Sequence, residues 1–222
     1  MSIEQVVTVS LPRSGPESLP RNGPESLPRS GPAEVWDALT AAGRNLTGAT
    51  RVVVLRGEGA DFVNSADADG SSDEPPTAAI EWLTRPDVIT VAAMSGRVIG
   101  AGLDAALACD VRIVADDAQL APSRSVSGVA RLGELMGYSR ALEFVVTGAA
   151  ISGQVAAAVG LANLSVAPEM LDVAVAEMVA TVLRTPREVT TVAKAVLRES
   201  AVDRHRFVGD LVAGIALAAN EA

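Results

Sequence analysis

Apolar positions along this chain alternate between strand-like runs and helical spacing, and the changes of spacing mark its elements. Ile3 to Ser10 reads as a first strand. Val35, Leu39, Ala42 and Leu46 recur at three- and four-residue steps, which predicts an amphipathic helix over Ala33 to Leu46. Arg51 to Leu55 is a β-branched run of buried-strand type, ended by Gly57 and Gly59. Residues 64–77 form a polar, acidic loop, and a short helix around Trp82 leads into a second apolar run, Val88 to Met94. A third, Val111 to Ala115, follows an Ala/Leu-rich segment, and Pro122 to Gly133 shows only a loose pattern. From Tyr138 onward helices dominate: Ser139 to Val146, stopped by Thr147-Gly148; a segment capped by Ser152 and closed by Gly160; and Glu169 to Leu183. Thr185-Pro-Arg-Glu188 reads as a capping box with Pro at the first helical position, opening a helix to about Glu199, and Asp203 to Ala219 is the last. Strands alternating with helices, then a helical tail, predict an α/β fold with a helical C-terminal extension.

The stretch Val91 to Ala118 carries the most chemical information. An apolar strand meets a turn at Ser95-Gly96, and Gly100-Ala101-Gly102 then opens a helix with one acid, Asp104, in its first turn. The first N–H groups of a helix have no partner inside it and sit at its positive dipole end, so they suit an anion or a developing oxyanion. The implied active site works with backbone rather than with side chains.

Between the first strand and the first helix an eight-residue unit occurs three times: Ser10–Glu17, Ser18–Glu25 and Ser26–Ala33. Two prolines per unit oppose both helix and strand pairing, and three apolar-poor units cannot build a solenoid. The expectation is an extended or disordered loop, with a PxxP-type docking ligand as the functional alternative. The expected organisation is therefore a first strand at 1–9, the repeat at 10–33, a core at 34–165 and a helical region at 166–222.

Composition narrows the function classes. With 222 residues and 49% hydrophobic residues the chain can bury one full core. A net charge of −9 disfavours nucleic acid and anionic membranes as partners. Cys109 and His205 are the only residues of their types, so a disulfide framework, a cysteine zinc site and a histidine-rich metal site are all excluded. Cys109 reads as a buried core residue and His205 as part of a basic surface on the last helix. The first residues lack the pattern of a signal peptide, and the most apolar run, Val98 to Cys109, is interrupted by Asp104 and too short to span a bilayer. A cytoplasmic protein is the default expectation.

Three matches in register give the chain a family resemblance. They are Val52 to Gly59 followed by Phe62-Val-Asn-Ser-Ala66-Asp67; Met94-Ser-Gly96, Gly100-Ala101-Gly102-Leu-Asp104 and Ala108-Cys109-Asp110; and Leu142 to Gly148 with Ile151-Ser152, Ala156 and Gly160-Leu161. This combination, over roughly residues 50–165, resembles the crotonase, or enoyl-CoA hydratase/isomerase, superfamily. The resemblance implies a ββα spiral core, an acyl-CoA thioester as substrate with no tightly bound cofactor, and a homo-oligomer, trimer or hexamer. It implies two backbone N–H donors to the thioester oxygen, at Ala66 and Ala101, with Gly100 and Asp67 beside the substrate. Ala101 stands where the family usually has Gly, which narrows the backbone's freedom there: a positive φ at 101 would be strained.

The departures from the family are equally concrete. Of the two glutamates that hydratases use as acid and base, the first falls on Asp104, shorter by one methylene, about 1.5 Å. The second falls on Arg124, which cannot act as a general base. A glycine-rich stretch after Gly128 is missing, the CoA-holding loop after strand one is replaced by the repeat, and the usual C-terminal ending is absent. Asp104 is either a general acid/base or a stabilising acid in a first turn. Arg124 either holds a carboxylate or phenolate on the substrate or pairs with Asp104. Asp67 and Asp69 either face the pocket or solvate the loop. Lys194, Arg198 and Arg204 are candidates for CoA phosphates, and Ser123 and Ser125 are hydroxyls with no partner assignable from sequence. Within the superfamily the chain most resembles the small auxiliary hydratase-like proteins of 3,5-dihydroxyphenylglycine biosynthesis in glycopeptide antibiotic pathways. Those proteins act with a type III polyketide synthase and a second crotonase-like enzyme. Three readings follow: an enzyme assisting dehydration and aromatisation of a polyketide-derived CoA thioester to 3,5-dihydroxyphenylacetyl-CoA; a non-catalytic partner stimulating one of those enzymes; or a crotonase-fold isomerase or hydrolase acting on an unrelated CoA substrate.

Overall fold

Every β-branched run expected to be a strand is one, and two parallel ladders organise them. The computed structural model describes residues 5–12, 32–65, 75–122 and 125–200. The first sheet has the order β1 (Val6–Leu11), β2 (Val52–Gly57), β4 (Ile89–Met94), β6 (Val111–Ala115), β9 (Leu164–Val166), all parallel. The second has the order β3 (Val63–Ser65), β5 (Arg97–Gly100), β7 (Gln119–Ala121), β8 (Ile151–Ser152), parallel except for the last pair. Each of β2, β4 and β6 is followed by a short strand of the second sheet and then by a helix: α2 (Thr77–Ile80), α3 (Ala101–Ala108) and α4 (Val126–Met136). This strand–strand–helix spiral is the α/β core expected from the resemblance. The 3₁₀ turn Glu81–Thr84 extends α2, and the Trp82 Nε1–H donates to Leu39 O at 2.9 Å, tying that turn to α1 (Pro32–Asn45).

The central strands β2, β4 and β6 of the first sheet are buried on both faces, as their continuous apolar runs require, while the edge strands β1 and β9 are partly exposed. Val53, Leu55, Ala92, Met94 and Val114 face the main core, shared with α3 and with Val63, Val98 and Leu120 of the second sheet. Their neighbours Val52, Val54, Val91, Ala93 and Ile113 face α7 (Leu171–Arg184), whose Leu171, Val175, Val179 and Val182 form one stripe. Burying each of these four side chains contributes roughly 1.5–3 kcal/mol. Arg51 closes the end of α7 by donating to Val182 O, Leu183 O and Thr185 O at 3.1, 3.0 and 2.7 Å.

Two local expectations are corrected. The loosely patterned region is in fact α4, capped by Ser125, whose Oγ accepts from Gly128 N–H at 3.0 Å. Ser125 is therefore not an unassigned hydroxyl, and the buried positions Gly128, Leu132 and Met136 follow helical spacing. The Thr185 hydroxyl does not cap forward. It donates back to Thr181 O at 3.0 Å, closing α7, and a helix described over 187–200, here α8, begins after Pro186. Helices α5 (Tyr138–Thr147) and α6 (Gly153–Ala158) match expectation, the latter capped by Ser152. The body of the octapeptide repeat, the final helix expected at Asp203–Ala219 and His205 lie outside the described residues. Among those described, no helix is long and apolar enough to cross a membrane.

Candidate active site

Parallel register sets the geometry of the site. β3 pairs with β5 so that Ser65 stands opposite Gly100, and the residues that follow them in sequence are Ala66 and Ala101. The two expected oxyanion positions thus follow one ladder pair. Ala66, Asp67 and Asp69 themselves lie outside the described residues. The loop before β3 is fastened to the β4–β5 turn: Phe62 N–H donates to Ser95 O at 2.8 Å, and the Asp61 carboxylate accepts from Arg97 N–H at 2.8 Å.

β5 passes into α3 without an intervening loop. Gly100 makes the turn at φ 59°, ψ −125°, a conformation that strains any residue with a Cβ. The strain anticipated for Ala101 does not arise, because the positive φ falls one residue earlier and no described non-glycine residue has one. Ala101 is the buried first residue of α3, where the N–H points outward along the helix axis rather than into the helical ladder. At Gly102 the helix presses onto β3: an added Cβ would lie 2.6 Å from Val63 Cβ and 2.7 Å from Val63 O. Asp104 is 6% exposed, a carboxylate held inside an otherwise apolar helix. Arg124 and Ser123 lie outside the described residues, so the pairing of Arg124 with Asp104 stays an expectation.

The far end of α3 holds the polar cluster that sequence reasoning misplaced. Lys194 is buried, and its ammonium donates to Leu83 O, Val88 O and Asp110 Oδ2 at 2.8, 2.6 and 2.7 Å. All three N–H groups are committed, so Lys194 is no candidate for a CoA phosphate. Arg198, one turn on, donates to Ala108 O at 3.2 Å and to Asp110 Oδ1 at 3.0 Å and serves the same cluster. Asp110 also accepts from the Thr90 N–H and hydroxyl at 2.8 and 2.9 Å. Burial pushes the Lys194 ammonium below its ordinary range, against the opposing pull of Asp110. Three arginines close this helix end: Arg131 donates to Leu107 O at 3.4 Å, Arg198 to Ala108 O, and Arg112 to Cys109 O at 2.8 Å. The sequence signal was present in the four-residue spacing of Lys194 and Arg198 and in the Asp following Cys109. Nothing in the sequence showed that α8 crosses the end of α3. Arg204 lies outside the described residues.

Cys109 is a core residue, as expected. It is buried, its Sγ–H donates to Ala105 O at 3.4 Å, and burial, aided by the nearby Asp110 charge, pushes the thiol up to about 12. It should resist a water-soluble disulfide reagent in the folded protein and react stoichiometrically in denaturant. Its raised folded value also gives stability that is complete below the ordinary 9.0 and is lost as pH rises toward about 12. Cys109→Ala should flatten that alkaline arm of a pH–stability curve; an unchanged arm would assign it to other groups.

A sequence profile of the enoyl-CoA hydratase/isomerase family matches residues 33–208. Among curated proteins, one assigned as enoyl-CoA hydratase echA6 of Mycobacterium leprae is 35% identical over 126 residues, 51% of each chain. The chain thus spans about half the length of that relative. Among solved structures, a protein assigned as an enoyl-CoA hydratase from Thermobifida fusca, in complex with CoA, is 30% identical, with a TM-score of 0.67 over 81% of this chain and 83% of that one. The acetoacetyl-CoA complex described for a Thermobifida fusca protein of the same assignment gives 0.68 at 30% identity, over 81% and 85%. A monofunctional enoyl-CoA isomerase from M. smegmatis gives 0.66 at 30% identity, over 76% and 80%.

Proposed function

Because the chain belongs to the enoyl-CoA hydratase/isomerase family, we propose that it binds an acyl-CoA thioester and acts on it as an enzyme of that type. The thioester oxygen sits between the backbone N–H groups of Ala66 and Ala101, and Asp104 moves the proton. The observation that carries this reading is the Ser65–Gly100 ladder pair running directly into the N-terminus of α3. Two backbone donors aimed at an enolate-like oxygen stabilise the transition state, and losing one costs roughly 3–4 kcal/mol. The solved CoA and acetoacetyl-CoA complexes of relatives support the ligand class.

One carboxylate and one arginine, in place of two carboxylates, favour enolisation, double-bond migration or loss of water over addition of water. Aromatisation is strongly downhill, so a single acid/base can serve it. On this ground the substrate assigned is a cyclic, polyketide-derived thioester on the way to 3,5-dihydroxyphenylacetyl-CoA, held at Gly100, Asp67 and Arg124. A cytoplasmic homo-oligomer cooperating with a polyketide synthase and a second family member belongs to the same reading.

Asp104→Asn tests the chemistry. Turnover across a panel of enoyl-CoA and polyketide thioesters should fall about 10²–10⁴-fold while acyl-CoA binding persists. Unchanged turnover would remove Asp104 from the mechanism. If the wild-type protein turns over nothing yet raises the rate of a synthase or dehydratase it binds, the non-catalytic partner reading replaces this one.

A further inference from the structure

Behind α3, at the end opposite Ala101, lies a cavity of about 420 Å³. The eight residues of α3 separate it from the thioester oxygen by roughly 10 Å at 1.5 Å per residue. Its apolar wall includes the buried Leu107 and Val182, the half-buried Leu135 and the largely exposed Leu197, so the cavity opens to solvent along α8. Its charged lining is Arg112, Arg131, Lys194 and Arg198 against Asp110 and Glu134, four cations and two carboxylates, a surplus of two positive charges among the described residues.

One surplus positive charge remains on each pair: Lys194 and Arg198 against Asp110, and Arg112 and Arg131 against Glu134. Lys194 and Arg198 share Asp110. Arg112, only 5% exposed, donates through Nε to Leu161 O at 2.7 Å and through Nη1 to Cys109 O, which leaves Nη2 without an acceptor among the described residues. Arg131 makes one long bond, to Leu107 O. Burial disfavours the charged form of both guanidiniums and Arg198 repels both, while Asp110 attracts both and Glu134 attracts Arg131, so an anion placed between them would complete a compensation these carboxylates only begin. A buried cation with an unused donor, facing a cavity walled by leucine and valine, fits a ligand with a charged head and an apolar body.

We propose that this cavity is a second binding site, apart from the thioester pocket, for a small amphipathic carboxylate. The carboxylate sits on Arg112 and Arg131, and the apolar body lies against Leu107, Leu135 and Leu197. The site is independent of the catalytic reading, since none of these residues belongs to the oxyanion loop or to the first turn of α3.

Titration calorimetry with sodium decanoate on the full-length protein tests it, with decanol as the uncharged comparison. Decanoate should bind, and decanol at least about tenfold more weakly. Arg131→Met should weaken decanoate about tenfold by removing the head-group contact, and Ala193→Trp, which fills the cavity from α8, should do the same by volume. Both variants are checked for a native thermal transition. Saturating acetoacetyl-CoA should leave decanoate affinity unchanged. The proposal is overturned by no decanoate binding to the wild type, equal binding to both folded variants, or full displacement by acetoacetyl-CoA. Failure of acetoacetyl-CoA to bind, with decanoate binding intact, would instead count against the thioester reading alone.

Discussion

Gly102→Ala should lower thioester turnover about 100-fold, although alanine is the better helix former. A Cβ at 102 would meet Val63 Cβ and Val63 O at 2.6 and 2.7 Å, and the second of these is backbone that cannot rotate away. Either α3 or β3 must retreat by a few tenths of an ångström or more. These two elements carry Ala101 and lead to Ala66, so the two proposed donors would separate, and misplacement on the scale of 1 Å costs about 10²-fold. Overpacking should also lower stability by about 1–3 kcal/mol. Gly133 supplies the control: it lies within α4, and an added Cβ there meets nothing within 4 Å. Gly133→Ala should raise stability by about 0.5–1 kcal/mol and leave turnover alone. Steady-state kinetics and urea melts on both variants check the pair. Equal kinetics for the two would show that the β3–α3 contact does not set the site.

Asp110→Ala should be the most destabilising single substitution among the polar residues discussed, at about 3–5 kcal/mol. The carboxylate compensates Lys194 and part of Arg198 and accepts two hydrogen bonds from Thr90. Its loss leaves a buried ammonium with only the carbonyls of Leu83 and Val88. The test for charge burial, as distinct from lost packing, is the double variant Asp110→Ala/Lys194→Met. Removing the stranded cation should restore a substantial part of the lost stability. If the two changes simply add, the ammonium is not the source of the cost.

The central strands β2, β4 and β6 of the first sheet were legible because both of their faces are buried, which leaves uninterrupted apolar runs such as Val52–Leu55. Helix α7 was legible from one apolar stripe. The second sheet was not: β3, β5 and β7 are three or four residues long, shorter than any period can register. Helix α4 escaped because Pro122 and two glycines dilute its pattern, although Ser125 stood ready as a cap. At the candidate site, the turn at Gly100 into α3 and the place of Asp104 in that helix's first turn were readable from local chemistry. The roles of Lys194 and Arg198 were not, because a basic residue on an amphipathic helix looks alike whether it faces solvent or a half-buried aspartate 84 residues away. Arg112 and Arg131 gave no sequence signal, since their company is set by how α3, α4 and β6 meet.

If the N-terminus of α3 polarises a thioester oxygen, as proposed, the carbonyl stretch of the bound thioester reports it directly. Infrared difference spectra of acetoacetyl-CoA labelled with carbon-13 at the thioester carbonyl should show that band shifted to lower frequency on binding the wild-type protein. The shift should shrink in Gly102→Ala at equal occupancy. A bound thioester whose carbonyl vibrates as it does in water would show that α3 leaves that oxygen unpolarised.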